Sequence, residues 1–185
     1  TLSLHDALPI SVKHKKGVYM KKIVLSVLFF ISCLFANEIK FDMNFTKDTT
    51  CEIRKIKLYE NPIWASKIEF KNGKEAFFCS PKSMFEFYFS EEKWKIFEIE
   101  NLSDFTNILV TDYKTSKIID AKKAFFVYGS RKISPSGDDL VAFQSREDAF
   151  NYSQDNNGKR IFSFDEVKNS PNCNNKLNTR RTFMQ

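Results

Sequence analysis

The chain has 185 residues, a formal net charge of +6, and 15% aromatic residues, 20 of them phenylalanine. Five lysines and one aspartate fall in residues 1–36, so the rest carries 24 basic and 22 acidic side chains and has no electrostatic footprint for nucleic acid. Both histidines, His5 and His14, precede Met20, which excludes Ser-His or Cys-His nucleophile pairs, histidine zinc sites and a histidine acid–base in everything that follows.

Residues 1–19 match no export or folding signal and are expected to be upstream sequence foreign to the mature protein. Met20 opens a leader: Lys21 and Lys22 are basic, residues 23–35 are apolar, and Ala36 is a small cleavage residue. A run that short with a basic front reads as a signal peptide over residues 20–36 and not as a membrane span. Cys33, after Phe30-Ile31-Ser32, offers lipidation as a second route. Both routes give a periplasmic or otherwise exported protein in an oxidising compartment, with membrane attachment only through the leader or a lipid on Cys33. Residues 37–50 read as a linker.

A first strand–strand–helix unit is expected over residues 51–105. Trp64, Ser66, Ile68 and Phe70 alternate with Ala65, Lys67 and Glu69, the pattern of a half-buried strand. Asn72-Gly73 supplies a hairpin turn in which both residues tolerate positive φ, and residues 75–79 return. Ser80 caps a helix with Pro81 at its first position, and Met84, Phe85 and Tyr88 share a face. Residues 91–99 alternate in part, a strand or amphipathic turn with Trp94 and Ile96 inward.

A second such unit is expected over residues 106–167. Residues 108–111 read as a strand, 113–120 as a polar connection, 124–128 and 139–143 as strands. Ser145 caps a helix whose Ala149 and Tyr152 echo Phe85 and Tyr88, and residues 159–164 return as a strand. Residues 168–185 are Asn-rich without apolar period and are expected to be a disordered tail. The class is therefore α+β, two ββα units with mostly antiparallel sheet. The doublets Glu91-Glu92, Asp138-Asp139 and Asp165-Glu166 lack the apolar surroundings that split the pKa values of a catalytic pair. No enzyme is expected.

The blocks Asn61-Pro62-Ile63-Trp64-Ala65-Ser66-Lys67-Ile68, Phe78-Cys79-Ser80-Pro81-Lys82-Ser83-Met84-Phe85, Val110-Thr111-Asp112-Tyr113, Ile119-Asp120-Ala121-Lys122-Lys123-Ala124, Gly129-Ser130 and Pro135-x-Gly137 stand apart in the chain. Together they resemble the NosL family of copper-binding accessory proteins for nitrous oxide reductase. The resemblance spans residues 51–167 and implies a pair of ββα units, Cu(I) as cargo, and partners among copper-enzyme assembly proteins. It also implies a Cys-x-x-Cys-Gly-Met motif before the Pro-x-Trp block. Counted back from Trp64, Cys51 matches the first cysteine, but Arg54, Lys55 and Ile56 replace Cys-Gly-Met. Ser136-Gly137-Asp138 stands where the family has Met-Gly-His. Guanidinium, ammonium and isoleucine do not ligate Cu(I), and the two cations would repel it.

Cys51, Cys79 and Met84 remain as candidate sulfur ligands, with Met43 in reserve. Two other readings stay open: core fillers among Phe77, Phe78, Phe85, Phe87, Tyr88 and Phe89, or a Cys51–Cys79 disulfide that would exclude copper. Cys173 is expected to be a free or intermolecular thiol. The functional alternative is a metal-free interaction module docking a partner through Trp64, Trp94 and the aromatic helix face.

Overall fold

The computed structural model describes residues 41–169. The leader with Cys33 and the residues from 170 onward with Cys173 lie outside them. The class is α+β, as the sequence pattern implies: β1 (Ser66–Phe70), β2 (Glu75–Phe78), α1 (Pro81–Tyr88), α2 (Glu91–Trp94), β3 (Phe105–Thr111), β4 (Ile118–Asp120), β5 (Phe125–Ser134), β6 (Gly137–Phe143), α3 (Arg146–Asp155), β7 (Arg160–Ser163) and α4 (Phe164–Asn169). Two antiparallel sheets form, ordered β2-β1-β3-β4 and β6-β5-β7. Tyr113 N–H, just past β3, donates to Ala142 O of β6 at 2.9 Å.

The β1–β2 turn differs from the expected form. Only Gly73 has positive φ (+79°). Asn72 uses its side chain instead, accepting from Lys74 N–H at 3.1 Å and donating to Phe97 O at 2.8 Å. The turn is thereby tied to the chain beyond α2.

Helix α1 begins where the sequence places it. Ser80 is extended (φ −169°) and its Oγ accepts from Ser83 N–H at 3.2 Å, with Pro81 in the first turn. Phe85 and Phe87 are two residues apart, about 200° around a helix, so they face opposite ways. Phe87 packs on Phe70 of β1 and Phe78 of β2, with ring centroids 6.2 and 5.2 Å away. Phe85 packs on Phe126 of β5 and Phe164 of α4, at 5.2 and 5.0 Å. Helix α1 thus joins the two sheets, and six of its eight residues are buried.

Residues 91–97 are helical, α2 followed by a 3₁₀ turn at Lys95–Phe97 that ends at the left-handed Glu98. Trp94 is buried, as expected, and its Nε1 donates to Phe87 O at 2.9 Å. Ile96, expected inward, is 76% exposed. The reason is the period: residues two apart share a face of a strand but not of a helix, so Phe97, three residues on, is buried instead. The connection read over 113–120 also contains an element. The Asp112 carboxylate accepts from Lys114 N–H and the Thr115 hydroxyl at 3.2 and 2.6 Å, which reverses the chain so that β4 pairs back on β3. Phe164 opens α4 rather than closing β7.

Helix α3 is capped by Ser145, whose Oγ accepts from Asp148 N–H at 3.0 Å. It buries only Ala149 and Ser153, one turn apart, against the second sheet. A second core lies there, built from Trp64, Val127, Val141, Phe143 and Ala149. Gly158 allows the close approach: a Cβ would sit 2.5 Å from Ser153 Oγ and 2.6 Å from Val127 Cγ1.

Candidate functional site

Three segments distant in sequence converge on one buried cluster of sulfur and hydroxyl groups. The first is the loop after Cys51. Cys51 N–H donates to Ile56 O and Lys55 N–H to Cys51 O, each at 2.8 Å, while Glu52 N–H donates to Phe77 O of β2 at 2.9 Å. The loop is therefore closed on itself and tied to the strand that leads to Cys79. The second segment is the β2–α1 junction, Cys79 to Ser83. The third is the β5–β6 turn. At Gly129 (φ +73°) and the irregular pairing that follows Tyr128, β5 changes course, and a bulge of this kind re-aims the hairpin beyond it. That hairpin carries Ser136 to the start of α1.

The Ser136 hydroxyl sits 2.6 Å from Ser83 Oγ, 2.8 Å from Ser80 Oγ and 3.3 Å from Cys79 Sγ. Cys79 Sγ is also 3.7 Å from Ser83 Oγ. The Cys51 sulfur receives the Arg54 backbone N–H at 3.4 Å. Cys51 and Cys79 are 0% and 2% exposed, and both are free thiols.

This arrangement splits the acidities of the pair. The hydrogen bond from Cys79 holds the Cys51 thiol down to about 6, with backbone N–H groups assisting against the opposing effect of burial. Cys79 is pushed strongly up, first because its proton is the one donated to Cys51 and then because burial disfavours a second anion. The two shifts run in opposite directions, so Cys51 is the sulfur inclined to ionise and Cys79 the one inclined to keep its proton.

Of the candidate ligands, Cys51 and Cys79 are both buried, on the loop and the strand end that the Glu52–Phe77 bond ties together. Met84 is fully buried in the aromatic core. The α1 side chain that reaches Cys79 is Ser83, about 100° around the helix from Met84. Met43 is partly buried against the same core. Arg54 and Lys55 do not act as the free cations the sequence suggested: Arg54 pairs with Glu86 of α1 at 2.7 Å and Lys55 with Glu52 at 3.1 Å. At the position where the resemblance implies the glycine of Cys-Gly-Met, Lys55 holds φ +56°, a conformation that suits glycine. The loop keeps a backbone bend although its side chains differ.

What sequence reasoning missed is the serine set. Ser80 was read as a cap and Ser136 as a missing ligand, whereas both are structural neighbours of Cys79. The proposed docking aromatics are also not on the surface, since Trp64 and Trp94 are 7% and 4% exposed. A separate open cavity of about 780 Å³ is lined by Glu91, Glu92, Lys95, Glu98, Ile99 and Glu100, with no sulfur. Among the described residues no three His, Cys, Asp or Glu side chains cluster as a metal cage. Among the described residues the cysteines are Cys51 and Cys79, both free.

A family model described as NosL matches residues 42–171. Among solved structures, the copper chaperone NosL from Shewanella denitrificans aligns with a TM-score of 0.59 at 22% identity, covering 70% of this chain and 97% of that one. At that identity the likeness concerns the fold. A search of curated proteins finds no match.

Proposed function

The chain belongs to the NosL family, and from that premise we propose that it carries Cu(I) between Cys51 and Cys79 and passes it to a copper enzyme under assembly, such as nitrous oxide reductase, outside the inner membrane. The family consists of copper-related accessory proteins and not enzymes. The observation that supports this reading is a pair of buried thiols 28 residues apart in sequence, on segments tied together by the Glu52–Phe77 backbone bond at 2.9 Å, with Cys51 inclined to ionise.

The donor set fits the cargo. Thiolates are soft ligands suited to Cu(I), and hydroxyls are not, so the serines would position Cys79 rather than ligate. Cu(I) would bind with the release of the Cys79 proton, giving two sulfurs on one monovalent ion. Arg54 is paired with Glu86, which also pairs with Lys93, and Lys55 with Glu52, so both loop cations are engaged by carboxylates.

Delivery is tested by transfer. Anaerobic Cu(I)-loaded chain mixed with copper-free nitrous oxide reductase is expected to lose its metal to that protein faster than a bis-thiolate peptide does. Transfer no faster than from the peptide would refute delivery to this client. For export, cell fractionation is expected to place a processed chain, lacking residues 1–36 or beginning at a lipidated Cys33, outside the cytoplasm.

A further inference from the structure

We propose that the tip of the β5–β6 hairpin, residues 132–137, is a hinged cover over Cys79, latched shut by the Ser136 hydroxyl. Its use in admitting or releasing a metal rests on the copper reading above. The cover itself rests on geometry and stands without that reading.

The latch is built from hydroxyls. Ser136 Oγ lies 2.6 Å from Ser83 Oγ, 2.8 Å from Ser80 Oγ and 3.3 Å from Cys79 Sγ. Those three partners all belong to the β2–α1 junction, and Ser136 reaches them from 53 to 57 residues away in sequence. Cys79, Ser80, Ser83 and Ser136 are each at most 5% exposed, so with the tip in place the thiol is closed off from solvent.

No large apolar side chain pins the tip in the same way. The stem of the hairpin buries Phe126, Val127, Val141 and Phe143. In the tip, Lys132 and Ile133 are exposed, Ile133 by 74%, and Pro135 is half-buried; the buried residues are Ser134 and Ser136. A segment held by few buried apolar contacts opens at a lower free energy than the body that carries it. The join also allows a pivot. The strands pair directly up to Tyr128 and Leu140 and again only at Ile133 and Asp138, so residues 129–132 of β5 stand against residue 139 of β6. Arg131 ties the near side of this bulge to the end of α3, its N–H donating to Asn156 O and its Nη2 to Asp155 O, both at 2.9 Å. On the return side Gly137 holds φ +90°, with nothing within 4 Å of where a Cβ would stand. The tip is braced internally, because Ser134 Oγ accepts from Ser136 N–H at 3.0 Å and donates to Gly137 O at 3.2 Å. It would therefore swing as one piece between Arg131 and Gly137, exchanging the Ser136 contacts for water. The open tip gives Cys79 the approach that the closed fold denies.

The test uses the full reduced chain without metal, treated with N-ethylmaleimide under native conditions, with modification of Cys79 followed by peptide mass. Ser136→Ala is expected to raise the rate at Cys79 about tenfold or more, since it removes the hydroxyl that bonds both Ser80 and Ser83. Ser83→Ala keeps Ser136 but removes its shortest contact, and is expected to raise the rate less. Gly158→Ala strains the protein under α3, away from the latch, and is expected to leave the rate within about twofold. Hydrogen exchange reads the same motion: in Ser136→Ala the amides of residues 132–137 should exchange faster while those of 140–143 keep their protection. No rise with either serine variant, an equal rise in Gly158→Ala, or faster exchange in tip and stem together would overturn the proposal. Neither readout uses copper, so a chain that binds no Cu(I) can still show the cover, and a chain without the cover can still bind the ion.

Discussion

Helices α1 and α3 follow the same local recipe and end in different places. Each starts at a serine whose Oγ accepts an N–H three residues on, after a hairpin of strands. Yet α1 lies between the two sheets with Phe85 and Phe87 facing opposite ways, while α3 covers one sheet and leaves Phe150 54% exposed. The difference lies in the side chains that follow the cap. Residues 84–89 are almost all large and apolar, enough to fill contacts on two sides; residues 146–155 offer one narrow stripe. A reactive group at the start of α1 is therefore surrounded, whereas one at the start of α3 would meet water. Repetition of pattern does not imply equality of environment.

Truncation should separate the two helices most sharply. Phe85→Ala is expected to cost about 3–5 kcal/mol, because it removes a ring that bridges β5 and α4, whereas Phe150→Ala should stay within about 0.5 kcal/mol. Denaturant unfolding of both variants measures the contrast, and equal losses would break it.

The enclosed sulfur pair should betray its setting by its titration. Thiolate absorbance is expected to rise with a midpoint near pH 6 for Cys51 and to return toward the ordinary thiol range in Cys79→Ala. The sign for stability follows. Since Cys51 is depressed on folding, its contribution is fully present above the unfolded thiol range and is lost as pH falls through about 6. Cys79 acts oppositely, losing stability as the unfolded thiol range is passed.

Gly158→Ala tests how tightly α3 lies on its sheet. The added methyl would overlap Ser153 and Val127, and a cost of about 1–3 kcal/mol is expected in thermal or denaturant unfolding. The two caps give a finer comparison. Ser145→Ala should cost about 1 kcal/mol, the ordinary value of a cap. Ser80→Ala should cost more, since the same oxygen bonds Ser136 at 2.8 Å inside the protein. Lys55→Gly should have the opposite sign, a gain of about 0.5–1 kcal/mol from relief at φ +56°.

Much of the scaffold was legible in the sequence because it rests on local rules. The alternation of 64–70, the Ser80-Pro81 start and the Ser145 cap each name their element without tertiary information. The errors came where local period was ambiguous: Ile96 was placed inward by reading strand alternation into a helical segment, and β4 was hidden in a polar stretch whose pairing depends on the Asp112 turn. The site was half legible. Cys51 and Cys79 could be nominated as soft ligands, but nothing local says that a hairpin tip more than 50 residues away places Ser136 against Cys79 and the start of α1. That approach depends on the course change of β5 after Gly129, a tertiary fact.

An anaerobic Cu(I) competition titration of the reduced chain, beside Cys51→Ala and Cys79→Ala, bears most directly on a copper role for the pair. One tightly held equivalent, lost in either variant and retained in Met84→Leu, is the predicted result. No binding above that of the double-cysteine variant, or binding that survives loss of Cys51, would contradict it.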